Sequence, residues 1–335
     1  MKAVVLAEAG RVENLAIQEC EKPTPGAGEV CVRLSASALN RRDFWITQGM
    51  YPDIQLPCIL GADGAGIVES VGTGVDPASV GDEVVIYPAF AWGEDPRIQA
   101  DGFRILGMPD NGTFAEYISV PQENIYTRPP HLDMIGAAAL PLAALTAWRA
   151  LVTKAGVRPG DRVLITGIGG GVATMALMLA TALEAEVIVT SSNAGKITRA
   201  RELGAIDGYL HTQENWHKDL CRKYGGVDVV IDGNCGPLFQ PCFESMNPAG
   251  RYIIFGFTQG RPPGAPDPSR IFFRQLRIEG TTMSTLAEFR AMLDFVTEKK
   301  LVPVVDKTFT LDDAVEAHRY IGSGGQMGKV VFNHT

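Results

Sequence analysis

The sequence predicts an α/β chain in two parts, a barrel-like β unit and a doubly wound parallel sheet. Three observations carry this expectation. At 335 residues the chain exceeds the ~250–300 at which a single core usually stops growing, so two domains are expected. The first third consists of short β-like runs between Pro and Gly turns, whereas from about Leu140 apolar strands alternate with longer helical stretches. Within that second part a strand ending at Thr166 runs into Gly167-Ile168-Gly169-Gly170-Gly171 and an apolar helix, as in a nucleotide-binding βα turn.

The β-rich part has strands predicted at Ala3 to Leu6, Leu15 to Cys20, Val30 to Leu34 and Glu83 to Ile86, with turns such as Lys22-Pro23-Thr24-Pro25-Gly26 between them. In the middle part, short Val- and Ile-rich strands are expected at Arg162 to Thr166, Glu186 to Thr190, Val227 to Asp232 and Arg251 to Phe255. Helices at Val172 to Leu183, Ala194 to Leu203 and about Leu238 to Met246 supply the crossovers. The Pro/Gly-rich stretch from Gly260 to Pro266 breaks this rhythm and predicts a loop. In the tail a strand near Arg277 to Thr282, helices near Leu286 to Lys300 and Leu311 to Ile321, and a last strand Lys329 to Phe332 can close either part by composition alone. No repeat of solenoid period and no low-complexity segment is present.

With 46% hydrophobic and 20% charged residues the composition is that of a globular protein. A net charge of −8 argues against nucleic acid or an anionic membrane as a partner, because both require a basic surface. Glu8 ends the first apolar run too early for a secretory signal, and the longest run, Val172 to Leu183, falls short of the ~20 residues that span a bilayer. Cys20, Cys31, Cys58, Cys221, Cys235 and Cys242 contain no CxxC pair and read as reduced, cytoplasmic thiols. His131, His211, His217, His318 and His334 show no i,i+4 spacing that would join two imidazoles at a metal.

The glycine loop carries the cofactor expectation. Gly167, Gly169, Gly170 and Gly171 allow a turn with positive φ and let a pyrophosphate approach bare backbone, while the helix from Val172 offers unpaired N–H groups to the anion. The next strand ends about 20 residues later, where the adenosine ribose sits. There the chain reads Val189-Thr190-Ser191-Ser192-Asn193-Ala194-Gly195-Lys196, with no carboxylate at the strand end. An acidic residue would bind a ribose 2′-hydroxyl and repel a 2′-phosphate. Ser191, Ser192 and Lys196 suit the phosphate instead, which favours NADPH over NADH. Ser192 and Asn193 can equally cap the helix that follows, with Lys196 a solvated charge.

Several stretches in order resemble the medium-chain dehydrogenase/reductase superfamily, in particular its zinc-free, quinone-oxidoreductase-like branch. They are Gly61-Ala62-Asp63-Gly64-Ala65-Gly66-Ile67-Val68, Val80-Gly81-Asp82-Glu83-Val84-Val85, Gly112-Thr113-Phe114-Ala115-Glu116-Tyr117, Leu140-Pro141-Leu142-Ala143-Ala144-Leu145-Thr146-Ala147-Trp148, the glycine loop, and Gly328-Lys329-Val330-Val331-Phe332. The resemblance implies a GroES-like catalytic domain formed by residues 1–125 and 268–335, with a Rossmann nucleotide-binding domain at 126–267 inserted. It implies a cofactor in an interdomain cleft, near Thr146, Asn234, Phe255, Gly256, Phe257 and Met283, and homodimers or homotetramers.

Zinc alcohol dehydrogenases of the superfamily look similar but carry a Cys, a His-Glu pair and a further Cys or Asp where this chain has Asn40, Ala62-Asp63 and a residue near Leu142. Nor does a four-cysteine structural lobe appear between Phe90 and Phe114. One Asp with one Asn does not make a tetrahedral zinc site, so no metal is expected. Without a Lewis acid an unactivated alcohol is a hard substrate, whereas a quinone or α,β-unsaturated carbonyl carries its own electron sink.

Polar help for such a small-molecule acceptor is expected from Asn40, Asp43, Tyr51 and Asp63, with Trp45 and Phe273 as candidates for an aromatic pocket. Other roles stand beside these: Asn40 and Asp43 as a helix cap, Asp63 in a glycine-rich turn, Tyr51 as packing. Two rival activities also remain. One is an enoyl-thioester reductase, which would use Arg41, Arg42, Arg97 and Arg104 as a basic rim; the other is a non-catalytic NADPH-binding sensor or structural protein.

Overall fold

The computed structural model describes residues 1–76 and 78–334. The chain forms two compact units, Met1–Leu145 with Ser284–Thr335, and Thr146–Met283. These divisions differ from the expected 125/126 and 267/268. Ile125–Thr127 pairs antiparallel with Glu83–Ile86, and the segment after it stays with the first unit, where the Leu142 N–H binds Asp63. Arg277–Gly280 belongs to the second unit because it extends that unit's sheet, Ile278 lying opposite Tyr252.

The first unit is built around the strand Glu29–Leu39, twice the length read from Val30 to Leu34. Its second half, Ser35-Ala36-Ser37-Ala38, lacks β-branched residues and is extended because both of its edges are paired. On one edge lies Asp63–Val71, with Asp63 opposite Ala38; on the other lies the C-terminal strand Lys329–Asn333, with Val330 opposite Leu39. The register of one strand end thus brings residues 40, 63 and 329 together. Tyr117–Pro121 also pairs with Glu29–Leu39, and Val305–Phe309 runs parallel to Lys329–Asn333. Phe114 and Phe332 meet edge-on at 5.0 Å in the core, together with Leu6, Leu39 and Leu60.

In the second unit six strands form one parallel sheet in the order Asp207–Leu210, Glu186–Ser191, Arg162–Ile165, Val227–Asp232, Met246–Ile254, Arg277–Gly280. Counted along the unit this is the doubly wound order, with its topological switch between Arg162–Ile165 and Val227–Asp232. Val163, Leu164 and Ile165 are wholly buried, as are Val229, Val230 and Ile231. That burial explains why these strands read as continuous apolar runs. The Asp207–Leu210 strand and the helix Trp216–Tyr224 were absent from the expected elements, since Asp207-Gly208 reads as a turn.

Candidate active site

The glycine loop sits at the C-terminal edge of the second unit's sheet. Gly167 has φ +62, and a Cβ there would lie 2.5 Å from the Asn234 amide. Gly169 has φ +123, Gly170 caps the helix Gly171–Ala182, and the Ile168 N–H is tied to Thr190 O at 2.8 Å. At Gly167 the turn therefore has room only for backbone, and the loop leads into a helix start, an arrangement that fits a dinucleotide pyrophosphate.

A wholly buried carboxylate that the sequence reading missed, Asp232, organises the neighbouring strand end. It accepts hydrogen bonds from Thr166 Oγ1 at 2.5 Å, Tyr252 OH at 2.6 Å, Asn234 N at 2.8 Å and Cys235 N at 3.1 Å. Asn234 Oδ1 in turn accepts from Thr258 Oγ1 at 3.0 Å, and Thr258 N donates to Gly233 O. Gly167, Asn234, Phe255, Gly256 and Phe257 are thus gathered at the ends of three adjacent strands. The Phe257 side chain is exposed, whereas Thr146 and Met283 are buried at the two ends of the unit.

At the end of the strand Glu186–Ser191 the helix-cap expectation holds for Asn193 and not for Ser192. Asn193 Oδ1 accepts from Gly195 N and Lys196 N and so caps the helix Ala194–Glu202, while Ser191 Oγ accepts from Asn193 N. Ser192 is exposed at this end. The backbone N–H of His211 donates to Ser191 O at 3.0 Å, continuing the pairing of the two strands, and burial lowers its imidazole pKa.

In the first unit Asn40, Asp63 and Lys329 form a closed polar cluster. Lys329 Nζ donates to Asp63 Oδ2 and to Asn40 Oδ1, both at 2.7 Å, and Asn40 Nδ2 donates to Asp63 Oδ2 at 2.9 Å. The second carboxylate oxygen of Asp63 accepts from Leu142 N at 2.8 Å. Asp43 Oδ2 accepts the Asn40 backbone N–H at 2.7 Å, so Asp43 does cap the helix Arg41–Thr47. Its Oδ1 lies 3.7 Å from Arg42 and has no hydrogen-bond partner among the described residues. Burial pushes the Asp43 carboxyl up to about 6 against the opposing pull of Arg42. Tyr51 covers the Arg42 guanidinium, its ring centroid at 5.2 Å. Lys329 is the member of this cluster that the sequence reading missed; only its contact with Asn40 in the folded chain reveals it.

Zinc does not fit here. The cluster offers one carboxylate and one amide, and an ammonium already takes both oxygens. Among the described residues no group of three or more His, Cys, Asp or Glu side chains is placed to hold a metal. Between Phe90 and Phe114 the chain packs Trp92 edge-on to Phe103 at 5.4 Å and pairs Arg104 with Asp110. The arginines considered as a basic rim are all engaged: Arg41 with Ile321 O and Gly322 O, Arg42 with Leu106 O and Met108 O, Arg97 with Asp95. Trp45 packs on Phe44 in the first unit; Phe273 is exposed beside Phe272 in the second.

A glycine cradle on a doubly wound sheet, joined in one chain to a β unit with a buried polar cluster, defines a dinucleotide-dependent oxidoreductase. Residues 26–130 match the alcohol dehydrogenase GroES-like domain, and residues 171–298 match the zinc-binding dehydrogenase family. The chain belongs to the medium-chain dehydrogenase/reductase superfamily. It is 36% identical over 339 residues to the zinc-type alcohol dehydrogenase-like protein YogA of Leptosphaeria maculans, covering 95% of this chain and 94% of that one. It is 29% identical over 347 residues to acryloyl-coenzyme A reductase of Sulfurisphaera tokodaii, covering 99% of each. The crystal structure of an NAD-dependent alcohol dehydrogenase superposes with a TM-score of 0.95 at 39% identity over the whole of both chains. No helix among the described residues is long and apolar enough to cross a membrane.

Proposed function

We propose that the protein is an NADPH-dependent reductase that delivers hydride to a quinone or an α,β-unsaturated carbonyl without a catalytic zinc. One observation carries the reading: Asn40 and Asp63, which stand where the zinc relatives carry a Cys and the Glu of a His-Glu pair, are closed into a hydrogen-bonded cluster by Lys329. NADPH, when bound, supplies the hydride. Gly167, Gly169, Gly170, Gly171 and Val172 would receive its pyrophosphate, and Asn234 and the Phe255-Gly256-Phe257 turn would meet its nicotinamide half. Ser191, Ser192 and Lys196, with no carboxylate among them, support the 2′-phosphate form of the cofactor. Asn40 is the polar group best suited to meet an acceptor oxygen, with Tyr51 beside Arg42 as a wall. Asp63, wholly buried, acts by holding Asn40.

The six unpaired cysteines support a reducing, cytoplasmic setting, and superfamily membership supports a homodimer or homotetramer. The deciding experiment is NADPH oxidation by the purified protein with a quinone and an enone in the presence of a strong chelator. Turnover undiminished by the chelator is expected; activity that disappears and returns with zinc would overturn the reading.

A second acceptor class is favoured by the likeness to acryloyl-coenzyme A reductase, because an enoyl thioester is also an α,β-unsaturated carbonyl. The engagement of Arg41 and Arg42 with backbone carbonyls leaves only Arg97 and Arg104, each already paired with a surface aspartate, for a basic rim to hold its carrier. Competition by coenzyme A esters would separate the two.

A further inference from the structure

The Asn40 amide is fixed in one orientation by two independent contacts. Its oxygen faces the Lys329 ammonium and its nitrogen faces the Asp63 carboxylate, at 2.7 and 2.9 Å. A flipped amide would set donor against donor and acceptor against acceptor, so the assignment is chemically unambiguous. An amide nitrogen carries two hydrogens, and Asp63 takes one. Among the described residues no acceptor takes the other. Asn40 is also the most exposed member of the cluster, at 7% against 3% for Lys329 and none for Asp63.

We propose that Lys329 is a positioning residue that acts through Asn40: its ammonium locks and polarises the amide so that the second Nδ2 hydrogen is presented to the negative charge developing on the acceptor oxygen. The proposal rests on the reductase reading. An ammonium drawing on the amide oxygen strengthens donation from the amide nitrogen, and in a dry site such polarisation is amplified. Asp63 is the counter-charge that makes burying the ammonium tolerable and the second contact that sets the amide plane. A fixed cation therefore does at one remove what a metal does by direct ligation, and the acceptor never needs to displace a ligand. The donor should matter more for an enone than for a quinone, because an enolate oxygen is the more basic and gains more from a hydrogen bond.

The test uses the full chain with the substitutions N40A, K329M, N40A/K329M and K329M/D63N, the last removing both buried charges so that no lone carboxylate destabilises the fold. With NADPH and an enone, N40A and K329M are each expected to lower kcat by about 10²-fold, a typical cost for losing one oxyanion donor, with a smaller loss for the quinone. N40A/K329M is expected to be no slower than N40A, since the lysine has nothing left to act through. A further loss in that double variant, or equal losses for both acceptors that track melting temperature, would overturn the proposal.

A second readout does not depend on turnover and so separates this proposal from the reductase reading. In the presence of oxidised cofactor, 4-nitrophenol is titrated spectrophotometrically. The wild-type complex is expected to lower the phenol's pKa, and K329M and K329M/D63N to return it to the free value. A bound phenol whose pKa is the same in wild type and variants, or no binding at all, would count against the lysine whatever the turnover assays give.

Discussion

Lys329 begins the strand whose Val330 lies opposite Leu39, and places its ammonium 2.7 Å from the Asp63 carboxylate and 2.7 Å from the Asn40 amide oxygen, three residues from adjoining strand ends in one buried unit. Breaking such a pair is costly because the partner left behind remains buried and charged. Asp63→Ala is expected to cost about 3–5 kcal/mol, seen as a lower urea midpoint with an unchanged slope. Adding Lys329→Met should recover part of that loss, which a chain destabilised merely by a cavity would not do.

Gly167 tests the phosphate cradle. Gly167→Ala places a methyl group 2.5 Å from the Asn234 amide on a backbone with φ +62. It should weaken NADPH at least tenfold, about 1.4 kcal/mol, by fluorescence titration. Gly264→Ala, outside the cradle and with nothing within 4 Å of its added carbon, should leave the affinity unchanged. Equal losses at the two positions would mean that the cradle is not what the cofactor reads.

Cofactor choice depends on the end of the strand Glu186–Ser191. Lys196→Ala should weaken NADPH roughly tenfold while leaving NADH within about twofold, about 1.4 against 0.4 kcal/mol. Equal losses for both cofactors would leave the 2′-phosphate assignment without support.

Asp43 gives a pH signature. Burial raises its pKa from 3.8 in the unfolded chain to about 6 in the native state. The native protein then holds more protons than the unfolded chain across that window, so this residue's contribution to stability falls as pH rises through it and levels off above about pH 6. Asp43→Asn lacks the titration. Its melting temperature relative to wild type should climb by a few degrees between about pH 4 and pH 7, and a flat difference would show that Asp43 titrates normally.

Much of the nucleotide-binding unit was legible because its strands are buried on both faces and its turn demands glycine. Val227–Asp232 and Glu83–Ile86 have the bounds read from sequence. The Asp207–Leu210 strand was not legible: four residues beginning Asp-Gly carry no periodic signal. In the β unit, Asn40 and Asp63 stood out as departures from a metal-ligand pattern, but Lys329 looked like one more strand residue. Its role lies in a contact across 289 residues to Asn40, and no local pattern reports such a distance. Asp232 was seen as the end of a strand, not as the acceptor around which Thr166, Asn234 and Tyr252 assemble.

The C-terminal strand has a consequence for the order in which the protein is made. Lys329 leaves the ribosome 266 residues after Asp63, and the whole of Thr146–Met283 is synthesised between them. The inserted unit has all its strands available while the first unit still lacks the cation for its central carboxylate. A nascent chain stalled before Gly328 would therefore hold every strand of the parallel sheet while the first unit still lacks both its last strand and the cation that pairs with Asp63.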